Sequence, residues 1–292
     1  MSEIIKKIQE LDGEQFDLFA HNLIDECDHN SLKQQTIGMS YYKLNEGFIG
    51  FETRISYGSS YGYNYSMKDY EIYIDFFKAL KNKYIKSSNI NLSDLLDDVY
   101  IYIRNYFKSE KEVIRDPDFI SLRDQILMEY LESITKNPDD TDEWLKNKNE
   151  LSIKIFKGKG VAMCSERTAL AQNLLSLLGI QSFYCSGAIK NEGEEECTGH
   201  AFNVVKNNEK YYIVDFSVPV KVYKDGNLYS SLPYIVEIDA DKVDSLLNDK
   251  YAVKFSNYEY DISSGVSEKR YIEDDRIYGI GLVKISENRI IR

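Results

Sequence analysis

The sequence predicts an α+β fold in which a helix opening at Cys164 packs on an antiparallel sheet, after a largely helical first region. Three observations carry this expectation. Leu170, Leu174, Leu177 and Leu178 recur at helical spacing and Gly179 follows as a natural stop. Beyond residue 180 the pattern changes to short runs rich in β-branched and aromatic residues, among them "HAFNVV" from 200 and "YYIVDF" from 211. Ahead of residue 140, helical periods dominate. The chain therefore divides into a mostly helical N-terminal region with a β-hairpin over 1–140 and a second domain over 141–292, with no long linker and no internal repeat between them.

Taken in order, Ile4, Ile5, Ile8, Leu11, Phe16, Phe19, Leu23 and Ile24 follow a helical period that breaks near Gly13, which predicts two short helices. Residues 36–56 carry β-branched and aromatic residues around Asn45-Glu46-Gly47, which predicts a hairpin turning there. The next stretch, "YGSSYGYNYS", mixes Tyr with Gly, Ser and Asn and reads as a surface loop, with an aromatic platform for sugar or peptide as the alternative. Helices follow over 67–86, 92–108 and 116–136, with start signals at Ser66, Ser93 and Asp116-Pro117. A further short helix carries Trp144. Strands are expected over 181–188, 199–206, 210–216, 233–238, 251–258, 269–273 and 277–285.

Composition limits what the chain can do. Its 292 residues are 43% hydrophobic and 29% charged, enough for well-buried cores, and its net charge is -12. No basic run is present, so neither nucleic acid nor an anionic membrane surface is an expected partner. The N-terminal stretch lacks the uninterrupted apolar run of a signal peptide, and no apolar run elsewhere reaches membrane-spanning length, so a cytoplasmic protein is expected. Cys27, Cys164, Cys185 and Cys197 are too sparse and uneven for a disulfide scaffold and are read as thiols. Oligomeric state is left open.

Chemistry concentrates around one hairpin and one helix. "HAFNVV" and "YYIVDF" flank "KNNEK", and Asn207-Asn208 tolerate the positive φ angles of a two-residue turn. With those two as the loop, Lys206 faces Glu209, and counting outward sets His200 directly opposite Asp215 on the same face. An aspartate there can accept the imidazole N–H, fix its tautomer and stabilise an imidazolium. Cys164 falls at the start of its helix, where backbone N–H groups and the helix dipole favour a thiolate. Its own N–H can face a developing oxyanion.

The blocks "GVAMCSERTALAQNLLSLLGI", "GHAFNVV" and "YYIVDFSVP", in that order, resemble the transglutaminase-like superfamily, a branch of the papain-like cysteine enzymes. The resemblance covers roughly residues 150–220. It implies a papain/transglutaminase-like core, with Cys164 as nucleophile, His200 as base and Asp215 as orienter. It also implies cleavage or modification of an amide in a peptide or protein through a thioester. Hydrolysis by a peptidase or amidase is the first reading, and transfer to an amine or glutamine deamidation is the alternative. Phe202 stands where the family often has Trp, and "DFSVP" moves the proline away from the aspartate; both departures bear on the substrate. The family can draw a second oxyanion donor from an upstream side chain, which the motifs do not map onto this chain; Trp144 could supply it, and a core or interface role suits a lone tryptophan equally well. The resemblance implies no cofactor, and no D-x-D-x-D-G calcium loop is present.

Other readings compete. Cys164, Cys185, Cys197 and His200 could form a Cys₃His zinc site, although their spacing is irregular. Cys27 with His21 and His29 lacks a fourth ligand nearby. A non-enzymatic binding module would keep the triad by chance. Glu192, Glu194, Glu195 and Glu196 read as a solvated loop, or as a rim that favours cationic substrates. Glu166 reads as a complement to the helix dipole rather than a substrate ligand.

Overall fold

A computed structural model describes residues 2–30, 36–38, 49–54, 60–65, 69–85, 90–108, 119–134, 150–191, 197–240, 251–255, 259–261, 282–284 and 290–291. The protein is α+β, with helices packed on a sheet whose central strands are antiparallel. The expected turn at 45–47, the strand at 269–273, Trp144 and the acidic run 192–196 lie outside the described residues.

Six helices are described: α1 (Ser2–Glu10), α2 (Gly13–Asn30), α3 (Tyr70–Tyr84), α4 (Leu92–Phe107), α5 (Phe119–Ile134) and α6 (Cys164–Leu177). Apolar spacing decides what each buries. On α2, Phe16, Ala20 and Ile24 form one buried stripe, and on α4 Leu96, Val99, Ile103 and Phe107 do the same. The α4 start signal is Asn91, not Ser93: its side chain accepts the Asp94 N–H at 2.8 Å. Helix α6 is buried on nearly every side, packing on β5, β6 and β7 and touching α2 and α4. Its end is a Schellman motif, as Gly179 predicts: Gly179 has φ 68°, its N–H bonds Ser176 O, and the Ile180 N–H bonds Leu175 O, both at 2.9 Å.

Twelve strands are described: β1 (Thr36–Gly38), β2 (Ile49–Arg54), β3 (Ser60–Tyr65), β4 (Glu150–Leu151), β5 (Ser182–Asn191), β6 (Cys197–Asn207), β7 (Lys210–Lys224), β8 (Asn227–Ile238), β9 (Tyr251–Phe255), β10 (Glu259–Asp261), β11 (Leu282–Lys284) and β12 (Ile290–Ile291). Strands β5, β6, β7 and β8 pair antiparallel in sequence order, joined at β6–β7 and β7–β8 by tight turns. Asp225 and Gly226 both take positive φ (52° and 74°), the requirement of a type I′ turn. The short strands β1, β9, β10 and β12 join this sheet in parallel.

Two expectations about the first region are corrected. The hairpin forms from β2 and β3, whereas β1 pairs in parallel with β5. Part of the expected loop "YGSSYGYNYS" is therefore strand β3, which also takes β4 as a parallel neighbour. Tyr61, Tyr63 and Tyr65 recur at the two-residue period of a strand, and the interleaved Gly and Asn hide it.

Candidate active site

The site is assembled where α6 begins. Ahead of it, Gly158 (φ 67°) and Gly160 (φ 73°) turn the chain so that their N–H groups bond Tyr106 O and Phe107 O at 3.0 and 2.9 Å. Those carbonyls belong to the last turn of α4, which has no further helical N–H to offer them. The 158–160 turn is thereby docked on α4, and the chain enters α6 through Val161, Ala162 and Met163. Met163 is the N-cap, with extended backbone (φ -90°, ψ -172°), so Cys164 is the first helical residue.

The turn between β6 and β7 corrects the expected register. Asn207 pairs with Lys210 and Asn203 with Val214, so the loop is Asn208-Glu209, with positive φ (56°) at Asn208. Both asparagines suit such a turn, and their composition alone does not choose between them. The correction moves every opposed pair by two residues. Asp215 is therefore not directly opposite His200; continued outward, this register sets Ser217 there. A shift of two preserves the side-chain alternation, so His200 and Asp215 keep the same face and meet on a diagonal.

That diagonal closes tightly: His200 Nε2 lies 2.6 Å from Asp215 Oδ2. Asp215 is fully buried and the His200 side chain is 9% exposed. The other carboxylate oxygen, Oδ1, accepts from Ser217 N–H at 2.7 Å, Ser217 Oγ–H at 2.6 Å and Val218 N–H at 3.0 Å. These donors come from the irregular stretch of β7 between Asp215 and Pro219, where pairing with β8 shifts register. Cys164 completes the set: its sulfur hydrogen-bonds His200 and accepts from the Ala201 N–H. Because Asp215 engages Nε2, Nδ1 is the ring nitrogen left for the thiol.

The electrostatics follow from these contacts. Burial pushes the Cys164 thiol up, but the charge and hydrogen bond of His200 and the Ala201 N–H outweigh it and hold the thiol below its ordinary value. Burial pushes His200 down, yet Asp215 and the thiolate raise it to about 10. For Asp215, burial raises and His200, Ser217 and Val218 lower, with a net result below the ordinary carboxylate value. All three shifts run in the same sense, towards a thiolate–imidazolium pair with an ionised aspartate behind it.

Several contacts around the helix start escaped the sequence reading. Glu166 is fully buried: its carboxylate accepts from Met163 N–H (2.7 Å) and Ser165 Oγ–H (3.0 Å), and from both terminal nitrogens of Arg123 on α5 (2.5 and 3.1 Å). It does complement the helix start, as expected, with a buried cation as its partner. Arg167 donates from Nε to Ala162 O at 3.2 Å and lies over the Phe107 ring. Between helix and sheet, Asn203 Nδ2 donates to Thr168 O (3.3 Å) and Gln172 Oε1 (3.1 Å), locking β6 to α6.

Of the residues in the competing readings, Cys185 is buried on β5 opposite Phe202, and Cys197 opens β6. Among the described residues, no cluster of three or more His, Cys, Asp or Glu side chains is placed to hold a metal. No described helix is long and apolar enough to cross a membrane. Compared with protein-family models, with curated proteins and with solved structures, the chain matches none.

Proposed function

We propose that the protein is a cysteine acyl-transfer enzyme of the transglutaminase-like type, acting on an amide bond in a peptide or protein. The observation that carries this reading is the continuous relay Cys164–His200–Asp215 at the start of a buried helix. The thiolate of Cys164 attacks the amide carbonyl carbon, and the electron pair of the C=O bond moves to oxygen. The Cys164 N–H at the helix start faces that oxyanion. As the tetrahedral intermediate collapses, the C–N bond breaks and His200 gives its proton to the departing amine. The thioester is then attacked by water, whose proton returns to His200, and the C–S bond breaks to release a carboxylic acid and regenerate the thiolate. Hydrolysis is the favoured outcome because water requires no dedicated acceptor site. The Asp215 carboxylate holds the imidazole in place through both half-reactions.

Trapping the intermediate tests this reading. The protein is incubated with a diverse peptide pool and quenched in acid, and Cys164 is examined by mass spectrometry. A hydroxylamine-labile acyl adduct on Cys164, absent from Cys164→Ala, is the expected result; adding a primary amine shows whether water or amine takes the acyl group. If Cys164 never carries an acyl group while cleaved or deamidated products are also absent, the reading fails.

A further inference from the structure

Behind the candidate nucleophile lies an ion pair that the proposed reaction does not use. Arg123 and Glu166 are 43 residues apart in sequence, and their side chains are 3% and 0% exposed. Capping a helix needs only a carboxylate at its first turn, and exposed glutamates do this without the cost of burying two charges. A buried arginine at this point therefore calls for a further role.

The geometry supplies one. Glu166 holds the N–H of Met163, the residue immediately before Cys164, and Arg123 donates to Val161 O at 3.2 Å as well as to Glu166. One side chain from α5 thus grips the chain on both sides of Cys164. Arg123 is itself held over the Phe156 ring, 4.9 Å from its centroid. Glu166 also places a negative charge within two residues of a sulfur that must become negative, and the guanidinium, which stays charged at any working pH, offsets it.

We propose that Arg123 and Glu166 are positioning residues for Cys164, fixing the 161–166 segment and cancelling the carboxylate charge behind the sulfur. The proposal rests on Cys164 being the nucleophile. The other charged or titratable groups around the sulfur are His200 on β6, Asp215 on β7 behind it, Arg167 on α6 and Tyr100 on α4 beside Arg167. They are unchanged in the variants below.

The test reads the pH midpoint of Cys164 alkylation by iodoacetamide, mapped by mass spectrometry, in wild type, Glu166→Gln, Arg123→Met and the double variant. Gln keeps an acceptor for the Met163 N–H but leaves the Arg123 charge unopposed, so the midpoint falls by about 0.5 pH unit. Arg123→Met leaves the carboxylate unopposed, so the midpoint rises by a similar amount. The double variant returns towards wild type. A purely structural pair would not give opposite signs that cancel. No shift in either single variant, or shifts of the same sign, overturns the proposal; if one single variant fails to fold, the sign of the other decides. His200→Ala, measured alongside, separates the two readings. If wild type and His200→Ala share one midpoint, the nucleophile assignment fails; if only the pair variants are silent, the positioning proposal fails alone.

Discussion

His200 and Asp215 meet at 2.6 Å across a diagonal of the β6–β7 ladder, not as an opposed pair. The offset has a use. Directly beyond His200 the β7 chain is irregular, and its Ser217 and Val218 donors turn back onto Asp215 Oδ1. One carboxylate oxygen is thereby pinned by three donors while the other is aimed at the imidazole.

This division predicts that Asp215→Asn is severe. An asparagine has one acceptor and one NH₂, and the two aspartate oxygens face donors only. Wherever the NH₂ falls, it meets either the Ser217 and Val218 donors or the His200 N–H. Turnover is expected to drop on the order of 10³-fold, with the His200 pKa falling, as measured by kcat/KM and by NMR titration of the imidazole.

Ser217→Ala removes only the hydroxyl and leaves two N–H groups on Oδ1. A hydrogen bond to a charged acceptor contributes about 1.5 kcal/mol, so kcat/KM should fall roughly tenfold with the fold intact. Ser217→Thr retains the hydroxyl and should recover most of the loss.

The relay also shapes stability against pH. Folded His200 holds its proton to about 10, well above the ordinary 6.5, so its contribution is complete below 6.5 and is lost as pH rises towards 10. Folded Cys164 loses its proton below the ordinary 9.0, so its contribution is present above 9.0 and is lost as pH falls through the lowered value. Above both 6.5 and that lowered value, and up to 9.0, the folded and unfolded pairs each bind one proton in total. In that window the pair makes no slope, and above 9.0 stability falls with rising pH. Cys164→Ala removes the compensating thiol. Its stability, relative to wild type, should decline once pH exceeds both 6.5 and the lowered Cys164 value, at up to about 1.4 kcal/mol per pH unit for as long as His200, now raised by Asp215 alone, keeps its proton, as read by urea denaturation at fixed ionic strength.

Asn203→Leu tests how β6 is locked to α6. The substitution removes two hydrogen bonds to fully buried groups of α6, at Thr168 O and Gln172 Oε1. A loss of about 2 kcal/mol is expected as a lower urea midpoint with unchanged m-value.

How far the sequence speaks differs from element to element. Helix α6 was legible because its stripe, its start at Cys164 and its Gly179 stop are all local signals. The pairing register was not, because Asn207 and Asn208 are equally good turn formers. The face of His200 and Asp215 survived only because the displacement was two residues rather than one. Strand β3 was masked by glycine and asparagine among its tyrosines. The Arg123–Glu166 pair depends on a contact across 43 residues, yet a trace exists: Arg123 stands one helical turn before Leu127 on α5, and both are buried. Met163-x-x-Glu166 is likewise half of a capping box, with no hydroxyl at the cap to advertise it.

The most direct test of the central claim is the pH dependence of iodoacetamide alkylation at Cys164, in wild type and His200→Ala. The account predicts rapid labelling of wild type at about pH 6, below the free-thiol value of about 8.5, and loss of that reactivity in the variant. Labelling of Cys164 that rises only near 8.5, with or without His200, would contradict an activated Cys164–His200 pair.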